Sequence, residues 1–365
     1  MGRRTNTAVW LEKYKRWQIK VQKDGERKTF TCSVPGRNGQ RECNRKADDW
    51  LDQNLDRTGT RFNVLFGEWI EELKLLTGTD HWQQYERYGR LYILKTIGNI
   101  KMGDLNEQHL QKVINAAYRK GLSKKTLSNI RACMAAFVKY GRKCKATSLV
   151  VENVTVPRNA PVKEKIILQP QDLVTLFKVD TVTMHNKTKY DLFVNAYRFA
   201  VITGLRPGEL VGLERKDIKG EMVRLRRSIN IHNEVTKGKN ENAQRTFMLT
   251  PLAQKVLQDQ FSKLEELGIE SEAVFPDQHG DHVSQSTYSK RWARYRDQNG
   301  LSKATPYELR HTFVSLVKRL PEGLVKPLVG HSKDMDTYGT YGHEVIGDMQ
   351  TTTELIQGIF SKYIK

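Results

Sequence analysis

Arginine, histidine and tyrosine side chains are concentrated in three short motifs near the end of the chain. The motifs are T-P-Y-E-L-R-H-T-F at 305–313, L-V-G-H-S at 328–332 and Y-G-T-Y-G-H at 338–343. They contain neither a metal-ligand spacing nor a glycine-rich phosphate loop. Tyrosine can act as a nucleophile, and cationic and imidazole groups stabilise charge on a phosphoryl centre. The motifs therefore predict chemistry on a phosphoryl group.

Two upstream segments offer further groups for such a site. In T-G-L-R-P-G-E-L-V-G-L, Gly204 is predicted to end one helix and Pro207 to begin the next. Arg206 then lies on a tight turn, where its guanidinium can grip an anion with two hydrogen bonds. Glu209 either braces that arginine or faces water. The polar loop T-K-G-K-N-E-N-A-Q joins two predicted strands. Its lysines either protonate a leaving oxygen or are surface residues without a catalytic role.

The first motif is predicted to lie on a helix. Tyr307 and Arg310 are three residues apart and share one helical face, whereas His311 is turned away by about 100°. His331 follows a glycine and is predicted to begin another helix. Each of these residues alone would more often be structural, since a single histidine usually is. Their fixed order together with Arg206 and a loop lysine favours a site.

The charge of the chain indicates its partner. It has 61 Lys and Arg against 41 Asp and Glu, a formal net charge of +20 over 365 residues. Residues 1–46 hold thirteen basic against four acidic side chains, and residues 101–145 hold eleven against two. Because this excess is clustered, we expect a nucleic acid partner rather than a generally basic surface.

Cysteines and apolar segments limit the setting in which the protein works. Its four cysteines show no CxxC pair and no zinc spacing, so we expect reduced thiols, a cytoplasmic location and no metal. The N-terminus lacks the apolar core of a signal peptide, and no apolar run approaches eighteen residues. The sequence therefore predicts neither secretion nor a membrane partner.

Residues 1–50 are predicted to form a small three-stranded sheet followed by a helix. Three runs alternate aromatic and β-branched residues with polar ones, and Asp24–Gly25 is a hairpin turn signal between the second and third. Asn38–Gly39 predicts a loop before a helix through Ala47–Leu55. The strands contain basic residues that either enter a DNA groove or form a solvated face: Arg16, Lys20, Lys23, Arg27 and Lys28.

Residues 60–155 are predicted to be helical, because apolar residues recur at i, i+3, i+4 and i+7. Ser123 is a candidate N-cap. Lys124 and Lys125 follow it at a helix start, and Arg131 lies two turns further along. Basic groups at a helix N-terminus can hold phosphates together with the helix dipole, so we favour DNA contact over a merely solubilising bundle.

The remaining elements complete the predicted order. Prolines and a lack of periodicity mark residues 158–170 as a linker. Helices are then predicted over Gln171–Lys178 and Tyr190–Thr203, followed by a lysine-tipped hairpin and the motif helices. We therefore divide the chain into domains at 1–58, 59–157 and 171–365. The fold class is multidomain α+β: a sheet with a helix, a helical domain, and a mainly helical domain with a small antiparallel sheet.

Taken together, the ordered motifs resemble those of the tyrosine recombinases, and within these the integrases of phages and conjugative transposons. The carrying segments are T-G-L-R-P-G-E-L, K-N-E-N-A-Q-R-T-F-M-L, Y-E-L-R-H-T-F, L-V-G-H-S and D-T-Y-G-T-Y-G-H, over roughly residues 165–345. The resemblance implies an arm-type DNA-binding sheet domain, a SAM-like core-binding helical domain and a catalytic domain. These agree with the order predicted from residue patterns.

The resemblance also assigns roles to residues of this chain. Arg206 and Arg310 resemble the two arginines that clamp the scissile phosphate. Lys239 resembles the hairpin lysine that protonates the leaving 5′ oxygen, because it stands six residues before the arginine of K-x-x-x-A-x-R; Lys237 is the alternative. His331 matches the histidine that hydrogen-bonds the phosphate.

Tyr341 resembles the nucleophile. It lies ten residues after His331 and precedes Gly-His, whereas Tyr338 lies only seven residues after that histidine. One position departs from the family pattern, since Tyr307 stands where the usual H-x-x-R box has histidine. A phenol can donate a hydrogen bond to a phosphate oxygen but cannot serve as an imidazole base. The base is therefore open, with His331 and His311 as candidates.

The implied reaction proceeds through a 3′-phosphotyrosine and needs neither metal nor nucleotide cofactor. It implies a homotetramer on double-stranded DNA with crossover and arm sites, assisted by an excision factor or a host DNA-bending protein. The expected location is the bacterial cytoplasm, at the nucleoid. A tail helix over Thr351–Tyr363 packs either on its own domain or on a neighbouring protomer. Two alternatives remain: a type IB topoisomerase-like enzyme, and a DNA-binding protein with a decayed site.

Overall fold

The computed structural model describes residues 5–23, 26–52, 57–184, 186–236, 244–330 and 347–364. The chain divides into two compact units, residues 1–163 and 164–365. This boundary falls inside the predicted linker 158–170, while the finer division of the first unit stays a prediction. Within the described residues, no helix is both long and apolar enough to cross a membrane.

The first unit begins with an antiparallel sheet of order β1–β2–β3 followed by a helix. The bounds are β1 Val9–Leu11, β2 Arg16–Lys23, β3 Glu26–Cys32 and α1 Gly36–Asp52. Because side chains alternate along a strand, Ile19 and Val21 of β2 face inward and share a small core with Cys43 and Ala47 of α1. The intervening polar residues face the other side of the sheet.

Helix α1 begins earlier than the sequence predicts. The predicted loop at Asn38–Gly39 and helix start at Ala47 are both wrong, since α1 already begins at Gly36. Gly39 has a packing role instead of a turn role. A Cβ there would come within 1.7 Å of the Val34 carbonyl oxygen, so only glycine allows the chain before α1 to lie so close.

A helical bundle completes the first unit, as the apolar periodicity predicts. Its helices are α2 Phe62–Leu76, α3 Thr79–Tyr88, α4 Leu94–Ile97, α5 Glu107–Arg119 and α6 Lys124–Lys143. Phe137 lies at the centre of an aromatic core, with its ring centroid 4.5 Å from that of Phe62. The predicted N-cap is confirmed, because the Ser123 side chain accepts a hydrogen bond from the Thr126 backbone N–H.

The second unit is mainly helical with small antiparallel sheets. Its helices are α7 Pro170–Lys178, α8 Val194–Thr203, α9 Pro207–Val211, α10 Pro251–Glu266, α11 Gln285–Gln298, α12 Pro306–Val317, α13 Glu322–Val329 and α14 Asp348–Phe360. Its strands are β4 Thr181–Met184, β5 Lys187–Tyr190, β6 Ile218–Lys219, β7 Met222–Leu225, β8 Ser228–Ile229, β9 Val235–Thr236 and β10 Arg245–Met248. Every residue of α8 is buried, and this helix packs against α10 and α12.

A β-hairpin precedes α8 where the sequence predicts helix. Tyr190, the predicted helix start, instead pairs with Thr181 across the β4–β5 hairpin, and α8 begins at Val194. Asn186 has a left-handed φ of 60°, which is typical of a tight turn. Two sequence patterns could have predicted these strands: the β-branched residues of T-V-T-M and the alternation of K-T-K-Y.

The tail helix α14 packs on its own unit in this structure. Ile356 and Phe360 are buried in that unit's core, and the rings of Phe360 and Phe313 lie 6.3 Å apart. Leu355 is 41% exposed on the other side of the helix. Apolar residues at the predicted helical spacing therefore pack into the core of the same chain.

Candidate active site

The turn between α8 and α9 holds Arg206 at the start of a helix. Gly204 adopts a left-handed φ of 65°, and a Cβ there would come within 2.5 Å of the Phe313 ring of α12. Glycine therefore both ends α8 and lets α12 approach. Arg206 is the N-cap residue of α9, with Pro207 in the first turn.

Arg310 is placed by α12, whose start has reciprocal caps. The backbone N–H of Thr305 donates to the Glu308 carboxylate at 2.7 Å, and Pro306 occupies the first turn. Arg310 then points inward and is only 3% exposed. Its guanidinium donates to the carbonyl oxygen of Gly204 at 2.9 Å and to that of Val329.

Glu209 lies between two arginines. Its carboxylate accepts hydrogen bonds from the Arg206 backbone N–H at 2.9 Å and from Arg206 Nη1 at 2.7 Å. Arg245, the first residue of β10, binds both carboxylate oxygens, at 2.9 and 3.0 Å. Glu209 thus braces Arg206 rather than facing water. Arg245 is a member of this cluster that the sequence analysis missed, although it stood in the K-x-x-x-A-x-R segment.

The described cluster contains three guanidinium groups and one carboxylate. Burial, together with the positive charges of Arg206 and Arg245, lowers the pKa of Arg310 to about 10, against the opposing charge of Glu209. Burial alone would raise the pKa of Glu209, but hydrogen bonds and charge from Arg245 and Arg206 hold that pKa below its usual value. The cluster is thus short of negative charge, which an oxyanion would supply.

Tyr307 lies on the exposed side of α12, and 46% of its surface is accessible. Its ring meets His311 edge-on, with ring centroids 5.3 Å apart. Burial lowers the pKa of His311, and the charge of Lys165 acts in the same direction. Arg310, three residues after Tyr307, is buried. The two side chains therefore share a helix but differ in solvent access.

Several predicted site residues lie outside the described residues: Lys237, Lys239, His331, Tyr338 and Tyr341. The chain on either side of them is described. Strand β9 ends at Thr236, directly before Lys237, and Gly330 is the last described residue before His331. Within the described part of the chain, no three His, Cys, Asp or Glu side chains group together as metal ligands would.

The basic residues of the N-terminal sheet lie on two different faces. Arg16, Lys20 and Arg27 share the outer face, where the guanidinium of Arg16 contacts Gln18 and Arg27 Nε donates to Gln22 at 3.0 Å. Lys28 is opposite the buried Val21 and therefore lies on the α1 side of the sheet. Its ammonium is 5.8 Å from the ring centroid of Phe30 and 5.7 Å from that of Trp50.

The basic residues of α6 also differ in their surroundings. Lys124 and Lys125 are exposed in its first turn, directly after the Ser123 cap. Arg131 is half-buried, and its Nε donates to the Val154 carbonyl oxygen at 2.6 Å. Arg131 therefore fastens the chain that follows the bundle, whereas the two lysines are free to meet an anion at the helix N-terminus.

Comparisons with known proteins agree with this architecture. The chain matches the Phage integrase family over residues 167–345 and the Phage integrase N-terminal SAM-like domain over residues 61–118. A tyrosine recombinase XerC-like protein of Caldanaerobacter subterraneus subsp. tengcongensis is 21% identical, covering 99% of this chain and 100% of the relative.

Two solved structures share the fold. One is the integrase of transposon Tn1549 in complex with transposon right-end DNA, with a TM-score of 0.62 and 17% identity over 81% of this chain and 99% of that one. Another is a lambda integrase tetramer bound to a Holliday junction, with a TM-score of 0.58 and 14% identity over 90% of this chain and 96% of that one.

These matches confirm the fold class and the resemblance predicted from the motifs. The chain belongs to the phage integrase family of tyrosine recombinases. It is a site-specific DNA recombinase that breaks and rejoins DNA strands. None of these matches favours the topoisomerase-like or decayed-site alternative.

Proposed function

We propose that the buried arginine cluster binds the scissile phosphate of DNA and that this chain recombines DNA through a 3′-phosphotyrosine. The observation that supports this best is the charge of the described cluster, which has three guanidinium groups and one carboxylate. Arg206 and Arg245 pair with Glu209, whereas Arg310 donates to backbone carbonyl oxygens. A phosphodiester oxygen would supply the missing negative charge. In the transition state that charge spreads over the equatorial oxygens, so fixed guanidinium groups stabilise it more than they stabilise the bound substrate.

The catalytic roles follow from the chemistry of the side chains. Arg206 and Arg310 hold the non-bridging oxygens of the phosphate, and Tyr307 donates a further hydrogen bond from its exposed hydroxyl. Lys239, three residues after the end of β9 in the sequence, protonates the leaving 5′ oxygen; Lys237 is the alternative. His331 contacts the phosphate.

Tyr341 is the proposed nucleophile, in preference to Tyr338. Its oxygen forms a bond to phosphorus while the bond from phosphorus to the 5′ oxygen breaks. The 5′ hydroxyl of a partner strand then attacks the phosphotyrosine and restores the phosphodiester. Tyr307 has no imidazole, so His331 is the proposed acceptor of the nucleophile's proton.

Double-stranded DNA is the proposed partner at two kinds of site. Lys124 and Lys125 contact backbone phosphates of the crossover site from the start of α6. The outer face of the N-terminal sheet reads arm sites, because it presents amide side chains beside Lys20 and Arg27. We further propose that the chain works as a homotetramer in the bacterial cytoplasm, assisted by an excision factor or a host DNA-bending protein.

A suicide DNA substrate tests the proposal. It contains the cognate crossover site and a nick that traps the cleaved strand on the protein. We expect wild-type protein to form a covalent protein–DNA adduct, and Tyr341→Phe to bind the same DNA without forming it. Tyr338→Phe is the matched control and should form the adduct.

The outcomes separate the parts of the proposal. Binding without any adduct from wild-type protein would contradict the phosphotyrosine mechanism. An adduct from Tyr341→Phe but not from Tyr338→Phe would move the nucleophile to Tyr338. Loss of the adduct in Lys239→Ala but not Lys237→Ala supports the assigned general acid, and the reverse result reassigns it.

A further inference from the structure

The C-terminal end of α13 is held by three arginines from three different elements. Three successive backbone carbonyls there each accept a hydrogen bond from a different guanidinium. The pairs are Leu328 with Arg245 at 2.6 Å, Val329 with Arg310, and Gly330 with Arg206 at 3.0 Å. The last carbonyls of a helix have no partner within the helix and form the negative end of its dipole, so cations stabilise them.

Arg245 differs from the other two arginines in how its donors are used. Its Nε binds Leu328, and its Nη1 and Nη2 both bind Glu209, so all three nitrogens donate within the protein. Its side chain is only 8% exposed. The side chain of Arg206, by contrast, is 28% exposed and also binds Glu209. Arg245 is therefore built into the protein, while Arg206 retains access to a ligand.

Glu209 transmits the position of Arg245 to Arg206. Its Oε1 accepts from Nη1 of both arginines, at 2.7 Å from Arg206 and 2.9 Å from Arg245. The Arg245 guanidinium thus fixes the Glu209 carboxylate, which orients Arg206. Through its bond to Leu328 it also fixes the end of α13, which Arg206 contacts at Gly330. These contacts join residues far apart in the sequence, on the α8–α9 turn, β10 and α13.

We propose that Arg245 is a positioning residue that locks the phosphate-binding Arg206 and the end of α13 into one arrangement. The proposal rests on the proposed role of Arg206 and Arg310 as phosphate ligands. Arg245 itself does not contact the phosphate. Its removal should therefore slow the chemical step more than it weakens DNA binding.

Arg245→Lys is the sharpest test, because it keeps the positive charge and removes the planar guanidinium that binds both oxygens of Glu209. An ammonium is a compact charge and cannot bind both carboxylate oxygens and a carbonyl in the same plane. We expect single-turnover adduct formation at saturating suicide substrate to fall about 10- to 100-fold, since a small misplacement of a catalytic group costs that much. The affinity for crossover-site DNA should change less than about threefold, because the Arg245 side chain is only 8% exposed and each of its three nitrogens already donates within the protein.

Arg198→Lys is the matched control. Arg198 is also a buried arginine, 8% exposed, and it binds Asp180 and the Leu176 carbonyl oxygen away from α13. We expect Arg198→Lys to lower the unfolding temperature but to leave the adduct rate of the folded protein at the wild-type value.

The pH profile of Arg245→Met provides a readout that a purely structural role would not change. The charged groups facing Glu209 are Arg206 on its own turn, Arg245 on β10 and Arg310 on α12. Burial raises the Glu209 pKa, and the hydrogen bonds and charge of Arg245 oppose that rise. Without Arg245 the pKa of Glu209 therefore rises, and a smaller fraction of Glu209 is ionised at a given pH. We expect the acid limb of the rate profile to move to higher pH.

The results distinguish this inference from the proposed function. If wild-type protein forms the adduct and Arg245→Lys forms it at the wild-type rate, the positioning role is overturned. An equal loss in Arg198→Lys, or an unmoved acid limb in folded Arg245→Met, also overturns it. If wild-type protein binds DNA and forms no adduct, the proposed function itself fails.

Discussion

Arg310 is the residue whose environment most directly predicts a measurable property. Its pKa is about 10 in the folded protein, well below that of a free guanidinium, because the side chain is buried. As pH falls, the unfolded chain binds this proton before the folded protein does, so the cost to folding is fully present below about pH 10. Keeping the charge buried at neutral pH therefore costs on the order of 3 kcal/mol. A bound oxyanion should recover part of this cost.

We therefore expect sulfate to raise the unfolding temperature of the wild-type protein by binding near Arg310. Each kcal/mol of binding should raise it by about 2 to 4 °C. Sulfate also stabilises folded proteins through its exclusion from their surface, and Arg310→Met should retain only this background. Arg215→Met removes an exposed arginine of the same unit and should respond like the wild type. An equal response in Arg310→Met would contradict anion binding at the cluster.

Tyr307 stands where the H-x-x-R motif predicts a histidine, and its chemistry can be tested by two substitutions. Tyr307→Phe removes one hydrogen-bond donor, so we expect adduct formation to slow roughly 10- to 100-fold. Tyr307→His should retain most of the rate and add a pH dependence near the imidazole pKa. Rates between pH 5.5 and 9 would show this, and a wild-type rate in Tyr307→Phe would exclude the hydroxyl from the reaction.

At the scale of elements, the α8–α9 turn depends on one glycine. Gly204→Ala must adopt a φ of 65° and place its Cβ 2.5 Å from the Phe313 ring, in a core that resists overpacking. We expect the free energy of unfolding to fall by at least about 2 kcal/mol, from strain and overpacking together. Urea denaturation measures this quantity.

Gly268→Ala is the matched control, because Gly268 has the same φ of 65° and nothing within 4 Å of an added Cβ. The free energy of unfolding of Gly268→Ala should fall by only roughly 1 kcal/mol, from the strained backbone conformation alone. Equal losses in the two variants would show that contact between α8 and α12 does not depend on Gly204.

The elements also show where sequence reasoning succeeds and where it stops. Local signals predicted the Ser123 cap, the glycine end of α8 and the proline start of α9, since each depends on neighbouring residues. The β4–β5 hairpin was missed because a short strand ran directly into an apolar helix. The place of Arg245 was missed because its partner Leu328 is 83 residues away, and only tertiary packing creates that contact.

At the scale of the whole molecule, the N-terminal sheet and the arginine cluster belong to different compact units with separate hydrophobic cores. Substitutions on the outer face of the sheet should therefore affect DNA affinity without altering the chemistry. The two faces of the sheet provide a comparison within one element, since Lys20 and Arg27 lie on the outer face and Lys28 on the α1 side.

We expect Lys20→Gln with Arg27→Gln to weaken binding to arm-site DNA and to reduce the slope of log affinity against log salt by about 2. Each phosphate contact contributes close to one counterion to that slope. Lys28→Gln removes one positive charge from the opposite face, so it should leave the slope unchanged and lower stability by about 0.5 to 1 kcal/mol through the lost ring contacts. Filter binding at several salt concentrations measures the slopes, with crossover-site cleavage as the internal control. Equal slopes for the double variant and the wild type, or a reduced slope in Lys28→Gln alone, would place the arm-DNA surface elsewhere.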